Sequence, residues 1–453
     1  MKQDFLNYIQ ETFQFSPSEM TEFSCALSRP LRKSIRVNTN KISIGDFKKL
    51  SEKNGYILTE TSLGKNTFYI DREDTSLPLG HTLEHITGYF YVQELAASSS
   101  PFYMSGDKID VWEYNILDMS ASPWGKTTQL AEYYPNATII ANEIDKTRLK
   151  QLYENTDRLG SRNVFVTNYD GRFFGNYPEI FDKILLDAPC SGEGTAYKTD
   201  DALKFWNLKN IKRIAKLQAQ LLESALISLK IGGEIVYSTC TLNRLENEEI
   251  IQSLLEKYPE EIEVFPLWWS NFIRAWPHII GTGGFFVAKL RKKNSLNISE
   301  WKKKKLQKHI QGFSKVGATD EKEIRKFLRE NFWLEIPGKF YSYRNEIYYT
   351  QKNIDFFWEN FFLYKCGIKI WSFENGVFTP NFYLGTHFWT FEKQSITIAE
   401  ETLHWLFQGK ELTLTEVSQD GYYQICDTVR AVGLIKVKNK QTKILLENKF
   451  MRK

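Results

Sequence analysis

Cysteine is scarce in this chain: five in 453 residues. That is too few for a disulfide scaffold and fits a reducing compartment, so a cytoplasmic protein is expected. The chain has no CxxC, no HExxH and no close Cys/His cluster, so no metal site is expected either. Long apolar runs are also missing. None approaches the ~18 residues of a membrane-spanning helix, and the opening MKQDFLNYIQETFQF carries acids and lacks the apolar stretch of a signal peptide. What remains is 42% hydrophobic and 25% charged, the composition of a globular chain with a sizeable core. At about 150 residues per domain, the length suggests about three domains.

The net charge of +4 conceals an asymmetry. Residues 285–453 hold 29 Lys+Arg against 18 Asp+Glu, while the preceding part holds 30 against 37. A basic C-terminal third on an acidic body is the pattern of a surface that meets a phosphate backbone; a solvated face would look the same.

Between about residues 110 and 290, short apolar runs alternate with segments of helical period. The runs are EYNILDMS, ATIIANEI, VFVTNY, DKILLDAP and GEIVYSTC; KTTQLAEYY, KTRLKQLYENTDRLG and NIKRIAKLQAQLLESALISLK lie between them. This predicts a doubly wound α/β domain on a parallel sheet, closed by FFVAKLRK. A glycine stop at Gly232-Gly233 is expected to end its long helix. The first hundred residues lack this rhythm and read as an accessory domain. After Lys293 comes a charged linker, and residues 320–453 read as mostly β with one helix, SITIAEETLHWLFQG. The expected divisions are 1–105, 106–293, 294–319, 320–385 and 386–453.

In open parallel sheets, chemistry sits beyond the carboxyl ends of the strands. Those ends carry Asp118, Glu143 with Asp145, Asp170, Asp187-Ala188-Pro189-Cys190, and Ser238-Thr239-Cys240. Glu143, at the second strand, stands where such folds bind ribose hydroxyls, and a surface acid is the alternative. Asp145 suits a helix cap. Asp170 is placed to accept from an adenine amino group. Gly125-Lys126-Thr127 invites a phosphate-loop reading, but that loop needs a glycine where the chain has Ser120, so a nucleotide triphosphatase is not expected. Cys190 and Cys240 are the strongest signal. Each follows a strand directly, and neighbouring strands would bring both thiols into one crevice. Such a thiolate can attack carbon 6 of a pyrimidine and so activate carbon 5 toward a methyl donor.

LLDAPCSGEGT and YSTCTLNRLENEE, together with RVNTNK, YVQELAASS, ANEID and TNYDGRFF, resemble the RNA cytosine-5 methyltransferases of the Nop2/Sun family. The ANEI form and the tail GKELTL…GLIKVKNKQTKILLENKFMR are similar to its bacterial F-type 16S rRNA branch. The resemblance implies a Rossmann-like methyltransferase domain, an RNA-binding N-terminal domain, a middle domain and a PUA-like RNA-binding module. It implies S-adenosylmethionine as cofactor and 16S ribosomal RNA, or the small ribosomal subunit, as partner. Cys240 would be the nucleophile, Cys190 would assist release of the adduct, and Asp187 would contact the cofactor and target ring. Ser120, Ala121, Ser122, Pro123, Trp124, Gly125 and Lys126 would form the cofactor loop, Glu143 would bind the ribose and Asp170 the adenine. The base must leave any stack to reach the crevice. Lys302–Lys305, Lys436, Lys438 and Lys440 are expected RNA contacts. Nothing suggests an obligate oligomer, and a monomer is expected.

One departure bears on function. Family members usually carry a glycine, which permits close backbone approach to a cofactor, where this chain has Trp124. Its indole could point away, stack on the cationic cofactor, or close the site. The last case would leave a non-catalytic RNA-binding or ribosome-assembly factor. The same chemistry on transfer RNA is a further alternative.

Overall fold

The structure is a computed structural model. It describes residues 2–106, 108–121, 125–198, 203–204, 206–267, 270–297, 301, 312–374, 377–388, 393–427 and 430–446. Ser122, Pro123, Trp124 and Lys302–Lys305 therefore lie outside the described residues.

Two helices, Gln3–Phe13 and Pro17–Ser28, open the chain. A capping box at Ser16, with Glu19 answering it, starts the second. Their buried Phe5, Ile9, Phe23 and Leu27 pack with Leu203, Trp206, Ile211 and Leu242, so this pair braces the loop that follows Cys240. An antiparallel sheet comes next. It consists of β1 (Ser34–Val37), β2 (Tyr56–Glu60), β3 (Thr67–Arg72) and β4 (Phe90–Val92), in the order β2-β3-β1-β4.

The central sheet is built from β5 (Asn115–Asp118), β6 (Thr138–Asn142), β7 (Val164–Thr167), β8 (Phe181–Asp187), β9 (Leu229–Thr239), β10 (Ile262–Val264), β11 (Phe272–Ala275) and β12 (Phe285–Lys292). The order β12-β9-β8-β5-β6-β7 runs through it, parallel from β9 to β7 and antiparallel at β12. The near-continuous apolar runs follow from burial on both faces. Leu117, Ile140, Phe165, Ile184, Leu186 and Tyr237 point to one face, toward Leu221 and Leu222 of the helix Leu208–Ser228. Ile116, Ile139, Val164, Val166, Leu185 and Val236 point to the other, toward Leu130 and Leu152. The long helix stops at Ser228 rather than at the glycines, and the chain passes straight into β9. Gly232 (φ +80°) instead serves an irregularity where β9 shifts register against β8.

The remaining strands are β13 (Ser314–Lys315), β14 (Lys339–Tyr343), β15 (Glu346–Thr350), β16 (Leu363–Cys366), β17 (Ile368–Glu374) and β18 (Val377–Pro380), then β19 (Ser395–Thr397), β20 (Gly421–Cys426), β21 (Ala431–Lys438) and β22 (Gln441–Ile444). Two sheets form, β13-β14-β15-β17-β18 and β19-β20-β21-β22. β16 joins neither: it pairs antiparallel with β7 and extends the central sheet, Leu363 opposite Thr167 and Cys366 opposite Phe165. Buried Lys365 anchors it, its Nζ 2.7 Å from Asp157 and 2.9 Å from the Tyr153 carbonyl. One helix proves too few for this region. Ala318–Phe332 is helical, with Ile324, Leu328 and Phe332 buried at four-residue spacing beneath a charged exterior that masks the period. Among the described residues, no helix is long and apolar enough to cross a membrane.

Candidate active site

The parallel strands end in step. Asp118 pairs across to Ala141 and Leu185, Asn142 to Thr167, and Asp187 to Ser238. Every acid singled out at a strand end therefore lies along one edge, with both cysteines beside them. Cys190 and Cys240 are free, half-buried and 3.1 Å apart, sulfur to sulfur. Asp187 stands next to them, its carboxylate receiving Lys126 Nζ at 2.7 Å and Ser238 Oγ at 2.8 Å.

Electrostatics separate these groups. The contact with Cys240, together with burial, pushes the Cys190 thiol well above the ordinary thiol range. Two sulfurs this close cannot both ionise cheaply, so the site carries at most one thiolate at a time. Burial opposes the charge on Lys126, but the neighbouring Asp187 outweighs it and holds the ammonium above its usual value. Asp118 is fully buried and burial pushes it up to about 7. Its Oδ2 accepts from Thr127 Oγ1 at 2.6 Å, while Oδ1 has no partner.

The positions expected to meet the cofactor differ in their surroundings. Ser120 is half-buried, and the Ala121 N–H donates to the Asn142 carbonyl at 2.8 Å, tying the loop to the end of β6. Gly125 and Lys126 open the helix Gly125–Tyr133; a Cβ at Gly125 would approach Tyr91 to 2.9 Å. Glu143 is 4% exposed and accepts the Asp145 N–H at 2.7 Å. Asp145 caps the helix Lys146–Leu159 through Thr147, as its type and position led one to expect. Asp170 is engaged from within. Arg172 meets it through its N–H (3.0 Å), Nε (2.9 Å) and Nη2 (2.5 Å), and Gln220 holds the guanidinium at 2.7 Å. An adenine amino group would need Arg172 to swing aside. Orphaned Asp118 Oδ1 and the carboxylates at three successive strand ends suit a polar, hydroxyl-bearing, cationic ligand, and the residues present fit S-adenosylmethionine.

Sequence reasoning missed the residues that hold the two cysteine loops together. Glu193 is fully buried and accepts the Leu242 and Asn243 N–H groups, each at 2.9 Å, with Asn243 Nδ2 at 2.9 Å and Trp206 Nε1 at 2.5 Å. Glu246 answers from the other loop, accepting the Ser191 N–H at 3.0 Å and Gln218 Nε2 at 2.8 Å. Ser191 and Thr241 hydroxyls meet at 2.9 Å. The Gly194 N–H donates to the Cys240 carbonyl at 3.0 Å, and a Cβ at Gly194 would strike Gly284 at 2.0 Å. An acid three residues after Cys190 and another six residues after Cys240 were visible in the motifs, but their partners were not. Glu193→Ala would strand two buried backbone donors and an indole, each costing about 1–3 kcal/mol. Urea unfolding should show a loss of about 3 kcal/mol or more; a loss under about 1 kcal/mol would contradict this bracing role.

The profile for the 16S rRNA methyltransferase RsmB/F family matches residues 111–291, and that for the N-terminal domain of 16S rRNA methyltransferase RsmF matches residues 1–95. The Ribosomal RNA small subunit methyltransferase F of Aeromonas salmonicida is 41% identical over 344 residues, covering 73% of this chain and 71% of that protein. Its namesake from Vibrio cholerae is 39% identical over 337 residues, covering 71% and 70%. Among solved structures, NSun6 from Pyrococcus horikoshii with SFG superposes with a TM-score of 0.57 at 26% identity, covering 65% of this chain and 99% of that one. A methyltransferase homolog from the same organism gives 0.55 at 31% identity, covering 64% and 100%. The fold is the Rossmann-like one of S-adenosylmethionine-dependent methyltransferases, and S-adenosylmethionine is the cofactor. By matching profiles, by identity over most of its length and by a paired-cysteine edge on that fold, the chain belongs to the 16S rRNA methyltransferase RsmB/F family.

Proposed function

We propose that this protein methylates carbon 5 of a cytosine in 16S ribosomal RNA through a covalent adduct on Cys240. The observation that carries the reading is the thiol pair beside Asp187 and Lys126: a nucleophile, a second thiol held protonated, and a carboxylate–ammonium pair within one crevice.

The steps follow from these groups. The Cys240 thiolate forms a bond to carbon 6, and the displaced electron pair moves toward ring nitrogen 3, where the Asp187–Lys126 pair provides a proton. Carbon 5 is then an enamine carbon and nucleophilic. Bound S-adenosylmethionine supplies an electrophilic methyl group on a sulfonium. Once carbon 5 has accepted that methyl, Cys240 is a neutral thioether and no longer suppresses ionisation of Cys190. Cys190 gives its own proton to solvent and, as the thiolate, takes the carbon 5 proton. The carbon–sulfur bond breaks, Cys240 leaves as a thiolate, and nitrogen 3 returns its proton. Glu143 holds the cofactor ribose in this reading, Asp170 its adenine, and residues 120–126 wrap it.

Lys436 and Lys438 lie on β21 and Lys440 follows in the turn to β22, with Lys436 Nζ 5.6 Å from the Tyr422 ring. The basic final sheet supports an RNA-binding, PUA-like role for the C-terminal region.

The test uses 16S rRNA carrying tritium on cytosine carbon 5. Methyl transfer to that carbon must expel its hydrogen, so tritium should appear in water in equal amount to methyl incorporated. Methylation without tritium release would place the methyl on another atom. Absence of methylation on 16S rRNA, with turnover on transfer RNA, would move the substrate.

A further inference from the structure

At the end of the central sheet opposite the cysteines lies a cavity of about 350 Å³. Ser161 and Asn163 just before β7 and Asn136 just before β6 form part of it; Lys41 comes from the N-terminal region, and Lys352 and His387 come from the C-terminal one. Its wall holds Lys41, Arg162, Lys352 and His387 among neutral amides, and no aspartate or glutamate.

The cations here hydrogen-bond only to neutral atoms, with Glu113 acting on Lys352 from beyond ion-pair distance. Lys41 is 5% exposed, and its Nζ donates to the carbonyls of Thr87 (2.8 Å) and Arg158 (2.7 Å) and to Thr386 Oγ1 (2.9 Å). Arg158, behind it, is 3% exposed and spends its guanidinium on the carbonyls of His85 and Phe90 and on Asn155. Arg162 donates to the His387 carbonyl, and Lys352 to the Asn136 carbonyl at 2.7 Å. Among the described residues, no carboxylate stands within ion-pair distance of these four. Burial and mutual repulsion drive Lys41 well below its usual value.

His387 points to what is missing. It is 5% exposed, yet neither ring nitrogen has a hydrogen-bond partner. Burying such a group unpaired costs about 1–3 kcal/mol. The ring lies against Gly160 (φ +77°), where a Cβ would come within 2.9 Å of Nδ1 and 3.5 Å of Lys41 Cε. The glycine lets the imidazole and the lysine stem pack close against the backbone, where a side chain would collide with the ring.

We propose that this junction is a binding site for a phosphate-class oxyanion, held by Arg162, Lys352 and His387 with Lys41 behind them. A backbone phosphodiester offers only acceptors and inorganic phosphate mainly acceptors, which suits ammonium, guanidinium and imidazole N–H together. Either neutralises a cation cluster that lacks acids and joins the three regions of the chain at one point. The site stands far from the methyl-transfer edge, so the occupant is either free phosphate or a backbone phosphate of the RNA outside the target nucleotide.

The test is calorimetric titration of the full-length protein with inorganic phosphate, at constant ionic strength set with chloride. Binding should saturate at one per chain and weaken at least tenfold in Arg162→Gln and His387→Leu. Should either variant melt lower than wild type in chloride, half-exposed Lys352→Gln replaces it, with at least a threefold loss expected. Saturating phosphate should raise the melting temperature by on the order of 3 °C in wild type alone. No saturable binding, or equal affinity in wild type and all variants, overturns the site. Adding oligouridylate identifies the source. Competition with phosphate, lost in Arg162→Gln, assigns the site to RNA backbone; simultaneous binding assigns it to free phosphate. Either result requires the anion site.

Discussion

The Cys240→Ser protein is expected to transfer methyl groups at least about a thousandfold more slowly than wild type. A serine hydroxyl at this position keeps the shape of the loop and the Gly194–Cys240 backbone bond, but it does not ionise near neutral pH. It would not form the carbon 6 bond that makes carbon 5 nucleophilic. Affinity for S-adenosylmethionine should stay within about twofold, because the proposed cofactor positions lie at the ends of β5, β6 and β7 rather than at Cys240. The measurement is single-turnover methylation alongside a cofactor titration. Turnover within tenfold of wild type would refute covalent catalysis by this cysteine.

Cys190→Ala should fail in the opposite sense, by arresting the reaction after methyl transfer. The 3.1 Å contact, with burial, keeps Cys190 the protonated partner of the pair in the resting site. Once Cys240 is bonded to the base, Cys190, 3.1 Å from its sulfur, is placed to take the carbon 5 proton. Without it the adduct persists. A stoichiometric protein–RNA band that survives denaturant, dependent on S-adenosylmethionine and absent in Cys190→Ala/Cys240→Ser, is the expected result. A Cys190→Ala protein with normal turnover and no such band would remove Cys190 from adduct release.

Much of this site could be read from the chain because its informative residues are local. A strand buried on both faces shows as an unbroken apolar run, and its last residue marks the reactive edge; Asp187, Cys190 and Cys240 were found in that way. Glu193 and Glu246 were not. Their importance comes from donors about fifty residues away on the other cysteine loop, and no local pattern carries that information. β16 was hidden for a similar reason. Leu363–Cys366 reads as another short aromatic strand, and only its pairing with β7 sets it apart. The helix Ala318–Phe332 was obscured by its own charge. Arg172, which occupies Asp170, marks the limit on the other side: Asp170 was identified by position, but position does not show who holds it.

The pairing of β16 with β7 imposes a schedule on synthesis. Thr167 leaves the ribosome long before Leu363, its partner. At about 5–20 residues per second, the interval is about 10–40 s. Throughout that time β7 presents an open edge of Val164, Phe165 and Val166, all of them buried once the sheet is complete. Such an edge recruits strands from other chains. The nascent protein is thus vulnerable to aggregation until its last third emerges, and any product cut short before residue 363 retains that hazard permanently.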